Sequence, residues 1–319
     1  MKGLTEIPGL RVGHVSDYEA LTGCTVVLCE AGAVAGADLR GSASGTEELP
    51  VMAPDHIAPH VHAVVLAGGS AFGLEAASGV RRYLEQQGVG FDTGVTRVPI
   101  VPCAILYDLG IGKPGVRPTR EMGEAAAAAA TDGPVVEGAV GAGTGATVGK
   151  LFGMRQAMKS GLGSWAVSLS GPHEGIKVAA LAVVNAFGDV VDPASGEIVA
   201  GARKAPDSRE FADTAEQLKR GARGGFTRNN TTLVLVATNA ALDKAGAQKL
   251  AALAQIGMAR TIRPVNTPYD GDVVIALSLG KRRADLAALG VAAADAVSEA
   301  VLRAVRLAPS LGGLPGLAG

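Results

Sequence analysis

Apolar residues along this chain come in two rhythms. Short unbroken blocks at 24–29, 63–67, 178–184 and 232–238 are rich in Val and Leu and are bounded by glycine or polar residues, which predicts strands. Several are apolar at every position, so both faces of each must be covered, as in a sheet enclosed by other layers. A further block, 273–277, follows an acidic turn. Longer stretches at 74–87, 121–130, 243–260 and 284–305 read as helices; in the last of these Val297, Val301 and Val305 recur at i+4 on one face. Helix and strand alternate throughout, which predicts an α/β fold.

Two stretches break the pattern. Residues 202–230 are polar, with Arg220, Arg223, Arg228 and the pair Gly224-Gly225, and read as a loop that runs abruptly into an apolar strand at Thr231. The tail from Ala308, with Pro309, Gly312, Gly313 and Pro315, reads as poorly ordered. No internal repeat and no linker divides the chain, so residues 1–319 are expected to form one domain.

Composition narrows the classes. With 29 Lys plus Arg against 30 Asp plus Glu, the formal net charge of −1 gives no field to draw in phosphate backbones or acidic membranes, so nucleic acid is not an expected partner. The clean apolar run at 178–184 ends at Asn185, far short of the roughly 20 residues a spanning helix needs, so no membrane partner is expected either. Glu6 and Pro8 precede any apolar segment, which leaves no secretory h-region and leads us to expect a cytoplasmic protein. Cys24, Cys29 and Cys103 match no zinc or thioredoxin spacing and read as buried thiols. His56, His60 and His62 lie close together, but Pro54 and Pro59 interrupt any helix that would present them jointly, and a structural or solvated role is expected.

Several glycine-rich segments invite functional readings and fail them in detail. In the segment from Gly141 to Lys150, Thr144 stands where a Walker loop needs its first glycine, and Leu151 where Ser or Thr must follow the lysine. Ala146 likewise occupies the third glycine of a dinucleotide fingerprint. What survives is a glycine-dense backbone delivering Lys150, on its own most simply a surface lysine after a turn. Gly68-Gly69-Ser70-Ala71-Phe72-Gly73 has the context of a nucleophile elbow, but Phe72 holds the place of its second glycine, so it reads as a tight turn with Ser70 as a helix cap.

The informative stretch is Asn229-Asn230-Thr231-Thr232-Leu233-Val234-Leu235. Thr at a strand start ordinarily reflects β-propensity. Cleavage between Asn230 and Thr231 would change its chemistry, because the new α-amine, with an ordinary pKa of about 7.7–8.0, suits a general base beside the Thr231 hydroxyl. Downstream, Asp270-Gly271-Asp272 could hold a hydroxyl and an ammonium, or form a solvated turn or weak cation site.

These residues together carry a family likeness. Asn230-Thr231-Thr232-Leu233, Val236-Ala237-Thr238-Asn239 and Asp270-Gly271-Asp272 resemble the P1/S58 peptidases: L-aminopeptidase/D-esterases, β-peptidyl aminopeptidases and 6-aminohexanoate (nylon) oligomer hydrolases. The likeness runs along nearly the whole chain, from Ile7-Pro8-Gly9-Leu10-Arg11-Val12-Gly13-His14 through Thr22-Gly23-Cys24-Thr25-Val26 and Leu66-Ala67-Gly68-Gly69-Ser70 to Val140-Gly141-Ala142-Gly143-Thr144-Gly145. It implies a layered α/β sandwich, superficially like N-terminal nucleophile hydrolases. It also implies self-cleavage into a larger piece, 1–230, and a smaller piece, 231–319, assembled as a homotetramer of such pairs and needing no cofactor and no metal. By position Thr231 resembles the nucleophile, Lys150 the lysine of the nylon hydrolases, Asn185 their strand asparagine and oxyanion donor, and Asp270 and Asp272 their acidic pair. Family members acting on D- and β-peptides carry a serine nucleophile, Ser-Gly-Glu in place of Asp270-Gly271-Asp272, and a tyrosine near Gly149 and Lys150, so the site resembles the nylon-hydrolase branch more closely.

The expected function is release of N-terminal residues from small peptides or amides. Endo-hydrolysis of 6-aminohexanoate oligomers, acyl transfer of the ornithine acetyltransferase kind, and a glycine-loop module binding a metabolite or nucleotide are the alternatives.

Overall fold

A computed structural model gives the fold and describes residues 2–223 and 230–319. Nine strands form one sheet: β1 (Arg11–Asp17), β2 (Thr22–Leu39), β3 (Gly45–Glu47), β4 (Val61–Ala67), β5 (Cys103–Ile105), β6 (Leu162–Ser168), β7 (Lys177–Asn185), β8 (Thr231–Ala240) and β9 (Val273–Arg282). Their order is β6-β7-β8-β9-β2-β4-β5-β3, with β1 paired to β2. Four of these strands coincide with the predicted blocks; β2 is far longer than 24–29. Its second half, from Glu30 onward, is mostly Ala and Gly, which carry little strand signal in sequence, and it is held instead by pairing with β9.

That length lets β2 serve two half-sheets. Its first half pairs with β1 and β4, and its second half with β9. Leu181, Val183, Leu233, Leu235 and Ile275 from one half-sheet share a core with Val27, Val64 and Leu66 from the other. The opposite faces are covered by helices. Ala180, Ala182, Val184, Val234 and Val236, the alternate positions of β7 and β8, pack with α4 (Lys244–Thr261) and α5 (Leu286–Arg306). On the far side Cys24, Val26, Leu28, Ala63 and Val65 pack with α1 (Ala76–Gln86) and α2 (Arg120–Ala128). The layers therefore run helix, sheet, sheet, helix, which is the sandwich expected from strands apolar on both faces. β8 and β9 run parallel with α4 as their crossover, and β7 lies antiparallel against β8.

Three local expectations change. Ser70 does not cap a helix: it has φ 55 and opens a 3-10 turn, Ser70–Glu75, that precedes α1, with no side-chain capping bond. The polar stretch 202–230 is not all loop, because Asp213 caps a short helix, α3 (Thr214–Lys219), through the N–H of Glu216. Gly224, Gly225, Arg228 and Asn229 of that stretch lie outside the described residues. The tail is tied down, with the Lys159 N–H donating to the Pro315 carbonyl (2.9 Å) and the Leu317 N–H to that of Ala308 (3.0 Å).

Candidate active site

The register of β7 and β8 builds the centre of the site. Asn185, the last residue of β7, pairs directly with Thr231, the first of β8, so their side chains share one face of the ladder. That face is the one that carries Val183 and Leu233 into the core between the two half-sheets. Lys150 reaches the same place from a turn. The Gly149 and Lys150 N–H groups donate to the carbonyls of Gly188 and Phe187, both at 3.1 Å. Gly149 has φ +70, and a Cβ there would lie 2.0 Å from the Ala202 nitrogen, so only glycine makes this turn.

Lys150 is buried rather than a surface lysine, at 3% exposure. Its Nζ donates to the Asn185 backbone carbonyl (2.9 Å) and to Asn185 Oδ1 (2.7 Å). The Thr147 backbone N–H, which can only donate, meets the same oxygen at 3.1 Å and so fixes which end of the Asn185 amide is oxygen. Asn185 Nδ2 donates to the Tyr107 carbonyl (3.0 Å). One amide hydrogen of the expected oxyanion donor is therefore committed to the scaffold.

The acidic pair brackets Thr231 from the segment that leads into β9. Asp272 accepts from the N–H of Thr232 (2.6 Å) and of Asn266 (2.9 Å), while Asp270 accepts from the N–H and hydroxyl of Thr267 (2.9 and 2.5 Å). Between them, the Gly271 N–H donates to the carbonyl oxygen of Asn230 at 2.7 Å. The Thr231 hydroxyl donates to that same oxygen at 2.6 Å. In sequence Gly271 reads as a spacer; its amide is in fact the donor on the bond before Thr231. A Cβ at Gly271 would lie 2.8 Å from Thr231 Oγ1 and 2.7 Å from the Ala43 carbonyl oxygen, which explains the residue type.

Burial sets the protonation of this cluster. It pulls the Lys150 ammonium down to about 7, against the opposing charges of Asp270, Asp272 and Asp108. It pushes Asp272 up to about 7, with the charge of Asp270 adding to the effect, and raises Asp270 as well. Sequence reasoning does not single out Asp108, although a carboxylate closing the apolar run before Gly110 is a usable signal. It accepts from the Thr22 hydroxyl and the Gly69 N–H, both at 2.7 Å, and burial raises it to about 6. Lys159, fully buried, donates to the carbonyls of Gly143 (3.1 Å) and Ala146 (2.8 Å), pinning the glycine-rich loop that leads to Lys150.

The remaining candidates stay structural. His14 Nδ1 lies 2.9 Å from the Thr25 hydroxyl, and burial lowers its pKa to about 4, so the ring is neutral. His62 Nδ1 accepts from the Ile100 N–H, and burial raises the Cys24 thiol to about 12. No group of residues able to hold a metal ion occurs among the described residues, and no helix there is long and apolar enough to cross a membrane.

Comparison with known proteins gives the family. The family model of peptidase family S58 matches residues 2–318. The chain belongs to peptidase family S58. An uncharacterized aminopeptidase of Mycobacterium bovis is 40% identical over 99% of this chain and 96% of its own length. A 6-aminohexanoate-oligomer endohydrolase of a Kocuria species is 29% identical over 94% of this chain and 85% of its own. Among solved structures, the L-aminopeptidase D-Ala-esterase/amidase of Ochrobactrum anthropi, described as a variant of the Ntn hydrolase fold, superposes with a TM-score of 0.74 at 20% identity, covering 98% of this chain and 88% of that one. A Burkholderia β-aminopeptidase gives 0.70 at 22% identity, covering 99% and 90%. As a member of family S58 the chain is a hydrolase of peptide bonds, and its layered α/β fold is the one these structures share.

Proposed function

We propose that this S58 peptidase is made as a precursor that cleaves itself between Asn230 and Thr231 and then uses Thr231 as an N-terminal nucleophile on small amino-terminated amides. The observation that carries this reading is the Asn230 carbonyl, whose oxygen accepts from both the Thr231 hydroxyl (2.6 Å) and the Gly271 N–H (2.7 Å). A carbonyl gripped by a backbone donor is polarised for attack, and the same donor receives the oxyanion as it forms.

In the first step the Thr231 oxygen attacks the Asn230 carbonyl carbon while Lys150, neutral above its pKa of about 7, takes the hydroxyl proton. The C–N bond breaks, the nitrogen receives the proton, and an ester joins Asn230 to the Thr231 oxygen. Water then opens the ester, leaving a carboxylate on Asn230 and a free α-amine on Thr231. In the processed enzyme that amine takes the hydroxyl proton as Thr231 attacks a substrate amide, and passes it to the leaving amine. Water hydrolyses the acyl-enzyme ester. The cationic form of Lys150 lowers the α-amine's pKa towards neutrality. The second Nδ2 hydrogen of Asn185 serves the substrate oxyanion, and Asp270 and Asp272 orient the new ammonium and its strand.

The experiment is a denaturing gel of the purified protein followed by N-terminal sequencing of the smaller fragment. A fragment beginning at Thr231 is expected; a permanently intact chain with peptidase activity defeats the proposal. The family resemblance further implies a homotetramer of 1–230 and 231–319 pairs, which sedimentation of the processed protein checks. Names of the relatives support amino-terminated peptides and 6-aminohexanoate oligomers as the substrate classes to assay.

A further inference from the structure

An open cleft of about 870 Å³ lies beside the site, lined among others by Gly110, Ile111, Met154, Arg155, Arg203 and Leu314. Three of these, Gly110, Ile111 and Met154, also line a constriction of about 10 Å³ whose wall includes Tyr107, Asp108, Thr147 and Lys150. The constriction holds about one water and brings the cleft's inner wall to Lys150, which bonds to Asn185, the ladder partner of Thr231.

Its polar lining is one-sided. It carries two arginines and no carboxylate. Arg203 is buried at 7% exposure, and its guanidinium donates to the backbone carbonyls of Pro206, Arg155 (2.8 Å) and Ala157 (3.3 Å). It forms no ion pair among the described residues, its Nε is buried without a partner there, and Asp207 is the one charge that favours its cationic form. Arg155 is exposed, and its side chain makes no hydrogen bond or ion pair among the described residues. The buried guanidinium holds the backbone of Arg155 in place, so a fixed positive charge underlies a free one. With three backbone carbonyls as partners and Asp207 as its one favourable charge, this cation is only partly neutralised, and an anion in the cleft would stabilise it further.

We propose that this cleft is a carboxylate subsite, in which Arg155 and Arg203 receive the free carboxylate of the substrate's leaving half, so that the enzyme favours short linear substrates ending in a free acid. The inference rests on the hydrolase reading above and names its substrate class. Length follows from the chain: Arg155 is five residues beyond Lys150, a span of at most about 18 Å, which suits a leaving half of one to a few residues.

The test measures binding and turnover separately. Calorimetry compares 6-aminohexanoate with 6-aminohexanamide on the wild-type protein and on Arg155→Gln, which removes an exposed side chain and so spares the fold. The acid should bind about tenfold more tightly than the amide in the wild type, and the ratio should fall towards one in Arg155→Gln, with partial recovery in Arg155→Lys. Equal affinities in the wild type, or an undiminished ratio in Arg155→Gln, overturn the subsite. Turnover of a neutral amino-acid p-nitroanilide tests the hydrolase reading independently: its absence alongside a retained acid preference sinks the catalytic proposal and leaves the subsite standing.

Discussion

Replacing Gly271 with alanine puts the proposed geometry under direct strain. The backbone at Gly271 is not left-handed, so alanine is acceptable there in conformation, and the perturbation is steric. The new methyl would lie 2.8 Å from Thr231 Oγ1 against an ordinary contact of at least 3.4 Å, so the hydroxyl must retreat by about 0.6 Å, and the Ala43 carbonyl at 2.7 Å resists movement the other way. A misplacement of about 1 Å at a reacting atom costs on the order of a hundredfold in rate, which makes a loss of at least about tenfold in self-cleavage the expected result. Overpacking of this kind costs about 1–3 kcal/mol, or a fall in Tm of several degrees, well short of unfolding. The assay is a time course of the intact chain on denaturing gels, with a thermal melt of the same sample. Processing at the wild-type rate in a folded Gly271→Ala protein would refute the role given to the Asn230 carbonyl and the Thr231 hydroxyl.

Thr231→Ala should remain a single chain without peptidase activity, and Thr231→Ser should still be cut; a matured Thr231→Ala protein, seen on the same gels, moves the nucleophile elsewhere. On the proposal that the neutral amine of Lys150 is the base, and with burial bringing its pKa down to about 7, the rate of self-cleavage should rise as pH passes upward through about 7 and level off above it. Lys150→Arg, which stays charged, should lose that rise, and an unchanged profile would count against the lysine. Asp108→Ala strands the Gly69 N–H and the Thr22 hydroxyl inside the protein and should cost about 2–4 kcal/mol in chemical denaturation; a loss under about 0.5 kcal/mol would show that Asp108 is not a structural anchor.

The strand blocks were legible because burial on both faces leaves an unbroken apolar signature, and the helices because their apolar faces recur at helical spacing. The second half of β2 was not, since Ala and Gly owe their place there to pairing with β9 and not to their own preference. Ser70 misled because a serine before a helix normally caps it, whereas here the Gly69 N–H is held by Asp108, from a segment remote in sequence. Thr231, Asn185, Lys150 and the two aspartates could be named as candidates from the family resemblance, whereas on its own Lys150 reads as a surface lysine and Asp270-Gly271-Asp272 as a turn.

Their mutual geometry could not be named in advance. Local sequence sets backbone preference and hydropathy, which act between neighbours, so it determined the layers and the candidate list. The register that sets Asn185 opposite Thr231, the burial that lowers the Lys150 pKa to about 7, and the Gly271 amide that grips the Asn230 carbonyl all depend on segments far apart in the chain. Such contacts exist only once the long-range packing has formed, because desolvation and hydrogen-bond direction are properties of the folded surroundings and not of any residue alone.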